Sequence, residues 1–184
     1  MGKIIMLGTG HSLVYDIFNT CFLMENNDEF LLVDTGGGAE ILRRLKINGV
    51  SLKNLHNIFI SHCHVDHILG LMWILKKMSK FFVKDDYKGK LNIYCNSEVA
   101  ASISALYSHL LPKNRIEAIN KYTGAEQGVA HLSLASAVAV SIGIAIQNIP
   151  EGAIISMPMR AEGNSRWRSF LIGSLSGAVS QELR

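Results

Sequence analysis

Apolar residues in the first 122 positions fall into short runs whose spacing switches between the period of a strand and that of a helix. KIIML (3–7), TCFLM (20–24) and EFLLVD (29–34) are β-rich runs. The last two flank Asn26-Asn27-Asp28, a composition suited to a hairpin turn. The period then changes: in AEILRRLKING, Ile41, Leu42 and Leu45 recur at helical spacing and Gly49 ends the run. NIFIS (57–61) returns to strand character, ILGLMWILKKM (68–78) to helix, LNIYC (91–95) to strand, and SEVAASISALYSHLL (97–111) to a helix closed by Pro112. Such alternation predicts an α/β arrangement.

Beyond this point the pattern is different. Residues 1–122 hold 14 Lys+Arg and 11 Asp+Glu, against 4 and 4 in residues 123–184, where lysine and aspartate are absent. From Val129 to Pro150 no charged residue occurs over 22 positions, long enough to cross a bilayer, for which about 20 are needed. A second apolar stretch, SFLIGSLSGAV (169–179), follows. The sequence therefore predicts two parts, 1–122 and 123–184, joined near 122–128. The second would carry two long apolar, membrane-type helices, with possible insertion of 129–159 and 169–180. Arg160, Arg166 and Arg168 between them would favour the cytoplasmic side.

Composition narrows the functional classes. With 48% hydrophobic residues in 184, a core is easily built. A net charge of +3 is mild, and along the sequence the lysines look scattered, so no clear nucleic-acid footprint is expected. Cys21, Cys63 and Cys95 are odd in number and far apart, which suits reduced thiols in a cytosolic protein. MGKIIMLGTG has too short an apolar run for a secretory signal. The expected location is cytoplasmic for the first part and membrane-associated through the second.

SHCHVDH (61–67) concentrates three of the seven histidines beside an aspartate, in the loop that leaves the 57–61 strand. His62 and His64, two apart in extended chain, project to one side and can reach one metal ion; Asp66 and His67, where the chain turns into a helix, can reach a second. Two ions about 3.5 to 4 Å apart would supply a hydroxide nucleophile near neutral pH. Imidazole and carboxylate suit zinc, one or two ions, with iron or manganese tolerated. Cys63, pointing away between the two histidines, reads as packing.

The motif H-x-H-x-D-H after a strand, preceded by LLVDTGGG and MLGTG, resembles the metallo-β-lactamase superfamily over about residues 1–120. That family has an αββα fold and hydrolyses phosphoesters, thioesters, lactams and RNA ends. The resemblance implies that Asp34 supports the metal-site loops and that His62, His64, Asp66 and His67 are ligands, Asp66 also orienting the nucleophile as the catalytic residue. GTGHS with FNTCFLM is more similar to the ribonuclease-Z-like and small hydrolase branches than to the lactam cleavers. In the family a second half supplies another histidine, a bridging aspartate and a last histidine. Here no aspartate follows Asp86; Asp85 and Asp86 lie in KDDYKGK, which reads as a solvated loop, and His11, His56, His109 and His131 are poorly placed as substitutes. The expectation is a zinc-dependent metallo-hydrolase acting on a small-molecule or phosphoester substrate, built as the first half of an αββα sandwich with an incomplete dimetal site.

GIAIQNIPEGAIISMP (143–158) resembles the fourth transmembrane helix of the ZIP family of divalent-metal transporters, and RWRSFLIGSLSGAV the start of the fifth. Pro150 frees the carbonyl of Ile146, and Gln147, Asn148 and Glu151 share one helix face. The resemblance implies a possible transport-site metal at Gln147, Asn148 and Glu151. A transporter fragment, or an inactive fusion of the two parts, is thus the alternative to a hydrolase.

Overall fold

The computed structural model describes residues 2–123, together with 165, 167 and 168. The expected apolar helices of the second part, the ZIP-like segment and its Gln147, Asn148 and Glu151 lie outside the described residues. Among the described residues, no helix is long and apolar enough to cross a membrane.

The elements are β1 (Lys3–Gly8), β2 (Cys21–Asn26), β3 (Glu29–Val33), α1 (Glu40–Ile47), β4 (Asn57–Phe59), α2 (Val65–Val83), β5 (Asn92–Tyr94), α3 (Ser97–Leu110) and α4 (Lys113–Thr123). The five strands form one sheet in chain order. β1, β2 and β3 run antiparallel, with Met24 opposite Leu31 and Phe22 opposite Val33. The β2–β3 hairpin closes through Asn27 (φ 48°) and Asp28 (φ 65°), both left-handed, which Asn and Asp tolerate better than other side chains. β3, β4 and β5 are parallel, their connections carrying α1 and α2.

One apolar core joins the layers. Leu23, Leu32, Ile58 and Ile60 come from the sheet region, Ile41 and Leu45 from α1, and Leu71, Ile74, Leu75 and Met78 from α2. α2 is longer than the 68–78 read from the sequence, because Phe81 and Phe82 carry its apolar face onward. α3 is capped by Asn96, whose side-chain oxygen accepts from the Val99 N–H at 2.8 Å.

Two readings change. α4 was not foreseen: its buried positions, Ile119 and Tyr122, are few in a polar segment. KDDYKGK is not simply solvated. Asp85 and Asp86 are exposed, but Tyr87 is buried between them and β5, its hydroxyl donating to the Leu55 carbonyl at 2.8 Å. Asp86 pairs with Lys53 at 2.6 Å, and the Tyr122 ring stacks on Phe82 at 4.5 Å. The Tyr122 hydroxyl also donates to Asp85 Oδ1, so α4 is tied both to α2 and to this loop.

Candidate metal centre

The ends of β3 and β4 and the start of α2 bring Asp34 and residues 61–67 together. The Asp34 N–H donates to the Phe59 carbonyl at 2.8 Å, drawing the turn after β3 alongside β4. Thr35 holds the other side: its N–H and its hydroxyl both donate to the His67 carbonyl, at 3.0 and 2.6 Å. α2 can come this close because Gly70 has no Cβ; one built there would lie 1.9 Å from the Thr35 oxygen.

Asp34 is fully buried and organises the cluster. Its Oδ1 accepts the Ser61 N–H at 2.8 Å, and its Oδ2 accepts the Ser61 hydroxyl at 2.8 Å and lies 2.7 Å from His67 Nδ1. A carboxylate only accepts, so His67 carries its proton on Nδ1 and aims Nε2 outward. The Ser61 hydroxyl has spent its proton on Asp34, so His62 Nδ1, 2.8 Å away, must donate to it, which leaves His62 Nε2 with a lone pair. A buried carboxylate thus sets the tautomers of two imidazoles, one directly and one through a serine.

The outward atoms then meet in pairs. His62 Nε2 lies 3.0 Å from His64 Nδ1, and His67 Nε2 lies 3.3 Å from Asp66 Oδ2. Two zinc ligands at about 2.05 Å and a tetrahedral angle are about 3.3 Å apart, so both pairs have the spacing of donors sharing an ion. A neutral His64 can donate its Nδ1 proton to His62 Nε2, but His67 Nε2 and Asp66 Oδ2 set lone pair against lone pair unless a cation lies between. Without a metal, that cation is a proton. Burial opposes charge on His67, but the hydrogen bonds of Asp34 and Asp66 outweigh it and carry its pKa up to about 10. Asp66 is likewise held below its ordinary value: burial opposes this, but the bond to His67 prevails. His62 moves the other way, to about 4, through burial and then the neighbouring His67 charge. The donor set therefore fits a divalent cation.

The four residues expected as ligands are brought together; the rings of His62 and His67 are 4.2 Å apart. Donors converge two by two, and among the described residues no group of three or more His, Cys, Asp or Glu is placed to hold one ion. Cys63 packs against the core, its thiol 3.8 Å from Glu98 Oε1. His56 is engaged with Tyr87 at 2.8 Å before β4, away from the cluster. Ser61, Thr35 and Gly70 were not singled out from the sequence. Of these only Ser61 had a signal, as the residue between a strand and the histidine motif.

The family model of the Anti-Pycsar protein Apyc1 matches residues 2–132, more than two thirds of the chain. The chain belongs to the Anti-Pycsar protein Apyc1 family. The match includes every residue of the cluster and runs past residue 122, where the first part was expected to end. Among curated relatives, ribonuclease Z of Methanococcus aeolicus is 33% identical over 105 residues, 55% of this chain and 30% of that protein. Ribonuclease Z of Clostridium perfringens is 36% identical over 76 residues, 41% and 23% respectively. The chain thus spans less than a third of the length of these relatives. Human tRNase Z, short form, superposes with a TM-score of 0.50 at 23% identity, covering 60% of this chain and 40% of that one. The architecture of this Apyc1 family member is the first half of a metallo-β-lactamase fold, with its cluster at the carboxyl ends of the central strands.

Proposed function

We propose that this chain serves a metal-dependent hydrolase of phosphodiester bonds, with RNA as the substrate class. The observation that carries the reading is the pairing of outward donors, His62 with His64 and Asp66 with His67, around a buried Asp34 that fixes which imidazole nitrogens are free. The substrate class is supported by the similarity to ribonucleases Z. It replaces the choice between small molecule and phosphoester by the latter.

Zinc is the metal these donors suit best, held by His62 and His64 on one side and by Asp66 and His67 on the other. When bound, it supplies Lewis acidity to a phosphoryl oxygen and lowers the pKa of coordinated water towards about 7. The chain's own residues supply position. Asp34 and Ser61 keep His62 and His67 from rotating or changing tautomer. Asp66, half on the helix and half in the cluster, presents its carboxylate as ligand and as acceptor for the proton of an attacking water.

Zinc per chain and hydrolysis of bis(p-nitrophenyl) phosphate, measured on the wild type and on His62→Ala/His64→Ala, test the reading. Zinc content and rate are expected to fall together in the double variant. A wild type that takes up no zinc, or a rate indifferent to the substitutions, would overturn it.

A further inference from the structure

Lysines that look scattered in sequence are gathered by α2 and its C-cap residue, Lys84. Trp73, Lys76, Lys77, Lys80 and Lys84 are all exposed. At 3.6 residues per turn they fall within an arc of about 100°. Asp66 of the metal centre lies on the same arc at the helix N-terminus, roughly 21 Å along the axis from Lys80. Several other cations are paired, Lys3 with Glu25, Arg44 with Glu40 and Lys53 with Asp86, at 2.9, 3.0 and 2.6 Å, and what sets the α2 lysines apart from the remaining ones is that they share one helix face. Among the described residues, Lys76, Lys77, Lys80 and Lys84 form no ion pair. The Lys76 ammonium instead sits 5.1 Å from the centre of the Trp73 ring, which is 42% exposed.

We infer that this face of α2 is a docking track for single-stranded RNA, leading a strand to the metal centre. The inference rests on the phosphodiester reading of that centre. Four uncompensated ammonium groups match a phosphate backbone, and an exposed indole among them offers a surface for a base to stack on. A membrane fits less well, because Ile74, Leu75, Met78 and Phe82 spend the helix's apolar face on the core, and the exposed Val65, Trp73 and Val83 are isolated rather than a continuous face to insert.

The test is fluorescence anisotropy of a labelled single-stranded oligoadenylate with the full-length chain at increasing salt. With four phosphate contacts, log K should fall against log salt with a slope of about −2.8, weakening binding about 50-fold between about 50 and 200 mM. Lys76→Gln/Lys77→Gln/Lys80→Gln/Lys84→Gln should bring the slope close to zero, and the matching set of arginine substitutions should retain it. Trp73→Ala should weaken binding about tenfold without changing the slope. Bis(p-nitrophenyl) phosphate, too small to use the track, should be hydrolysed equally by wild type and lysine variant. His62→Ala/His64→Ala should lose hydrolysis and keep RNA binding. If the glutamine variant binds RNA as the wild type does, or if anionic phosphatidylserine vesicles bind the stripe and RNA does not, the inference falls. If RNA binding follows the lysines while the wild type hydrolyses nothing, it is the reading of the metal centre that fails.

Discussion

Asp34 sits at a left-handed backbone position (φ 54°), where Asp is among the few side chains readily tolerated, and it is the residue on which the centre turns. Asn in its place has the same size but carries an NH2 group, which must take the place either of Oδ1, facing the Ser61 N–H, or of Oδ2, facing Ser61 Oγ and His67 Nδ1. The first sets donor against donor, and the second disturbs both tautomers. Asp34→Asn should therefore keep the fold and lower zinc affinity by about 10- to 100-fold, the usual effect of removing such a supporting contact, as measured by competition with a chromophoric chelator. The residues also set a pH response in the metal-free chain. His67, raised to about 10 in the folded chain, stabilises it fully below its unfolded value near 6.5, and this contribution is lost as pH rises through 10. His62, lowered to about 4, binds its proton more readily when unfolded, so between about 4 and 6.5 it makes stability rise with pH. Urea midpoints after chelator treatment should peak near neutrality and decline towards pH 10, and His67→Gln should abolish the alkaline decline. These side chains were legible as a metal motif. Their tautomers were not, because those depend on Ser61 and Asp34 meeting across 27 positions of sequence.

At the scale of elements, the close seating of α2 on the turn after β3 decides whether the cluster forms. Gly70 is where two opposed effects can be weighed. In an isolated helix, Gly70→Ala would gain about 1 kcal/mol from helix propensity. Here the added Cβ would be 1.9 Å from the Thr35 oxygen and 2.9 Å from the Gly36 oxygen, both backbone atoms that cannot swing aside. Overpacking of this kind costs about 3 kcal/mol or more, so the clash wins. Gly70→Ala should lower the urea midpoint and also weaken zinc binding, since α2 carries Asp66 and His67; an unchanged midpoint would mean that α2 does not lie so close. The strands, α1, α2 and α3 were legible because each shows a clean apolar period. α4 was missed because it buries little more than Ile119 and Tyr122, and Tyr122 earns its place by stacking on Phe82, a tertiary contact with no local signature.

For the whole molecule, the four donors lie within residues 62–67, but the buried carboxylate that fixes their imidazole tautomers, Asp34 at the end of β3, meets Ser61 and His67 only in the folded state. Zinc should accordingly bind the native state far better than the unfolded one and stabilise it by linkage, about 2.7 kcal/mol at a hundredfold excess over the dissociation constant. Two protein donors per ion make that constant weaker than a full set would, so the rise should appear only at high zinc concentrations. Thermal unfolding of the full-length chain across a zinc titration measures this directly. The midpoint should climb in the wild type and stay level in His62→Ala/His67→Ala, which removes one donor from each pair. A rise that already saturates at stoichiometric zinc would show that further ligands join the four described here, and their source would then have to be sought among residues 124–184, where His131 is the remaining histidine.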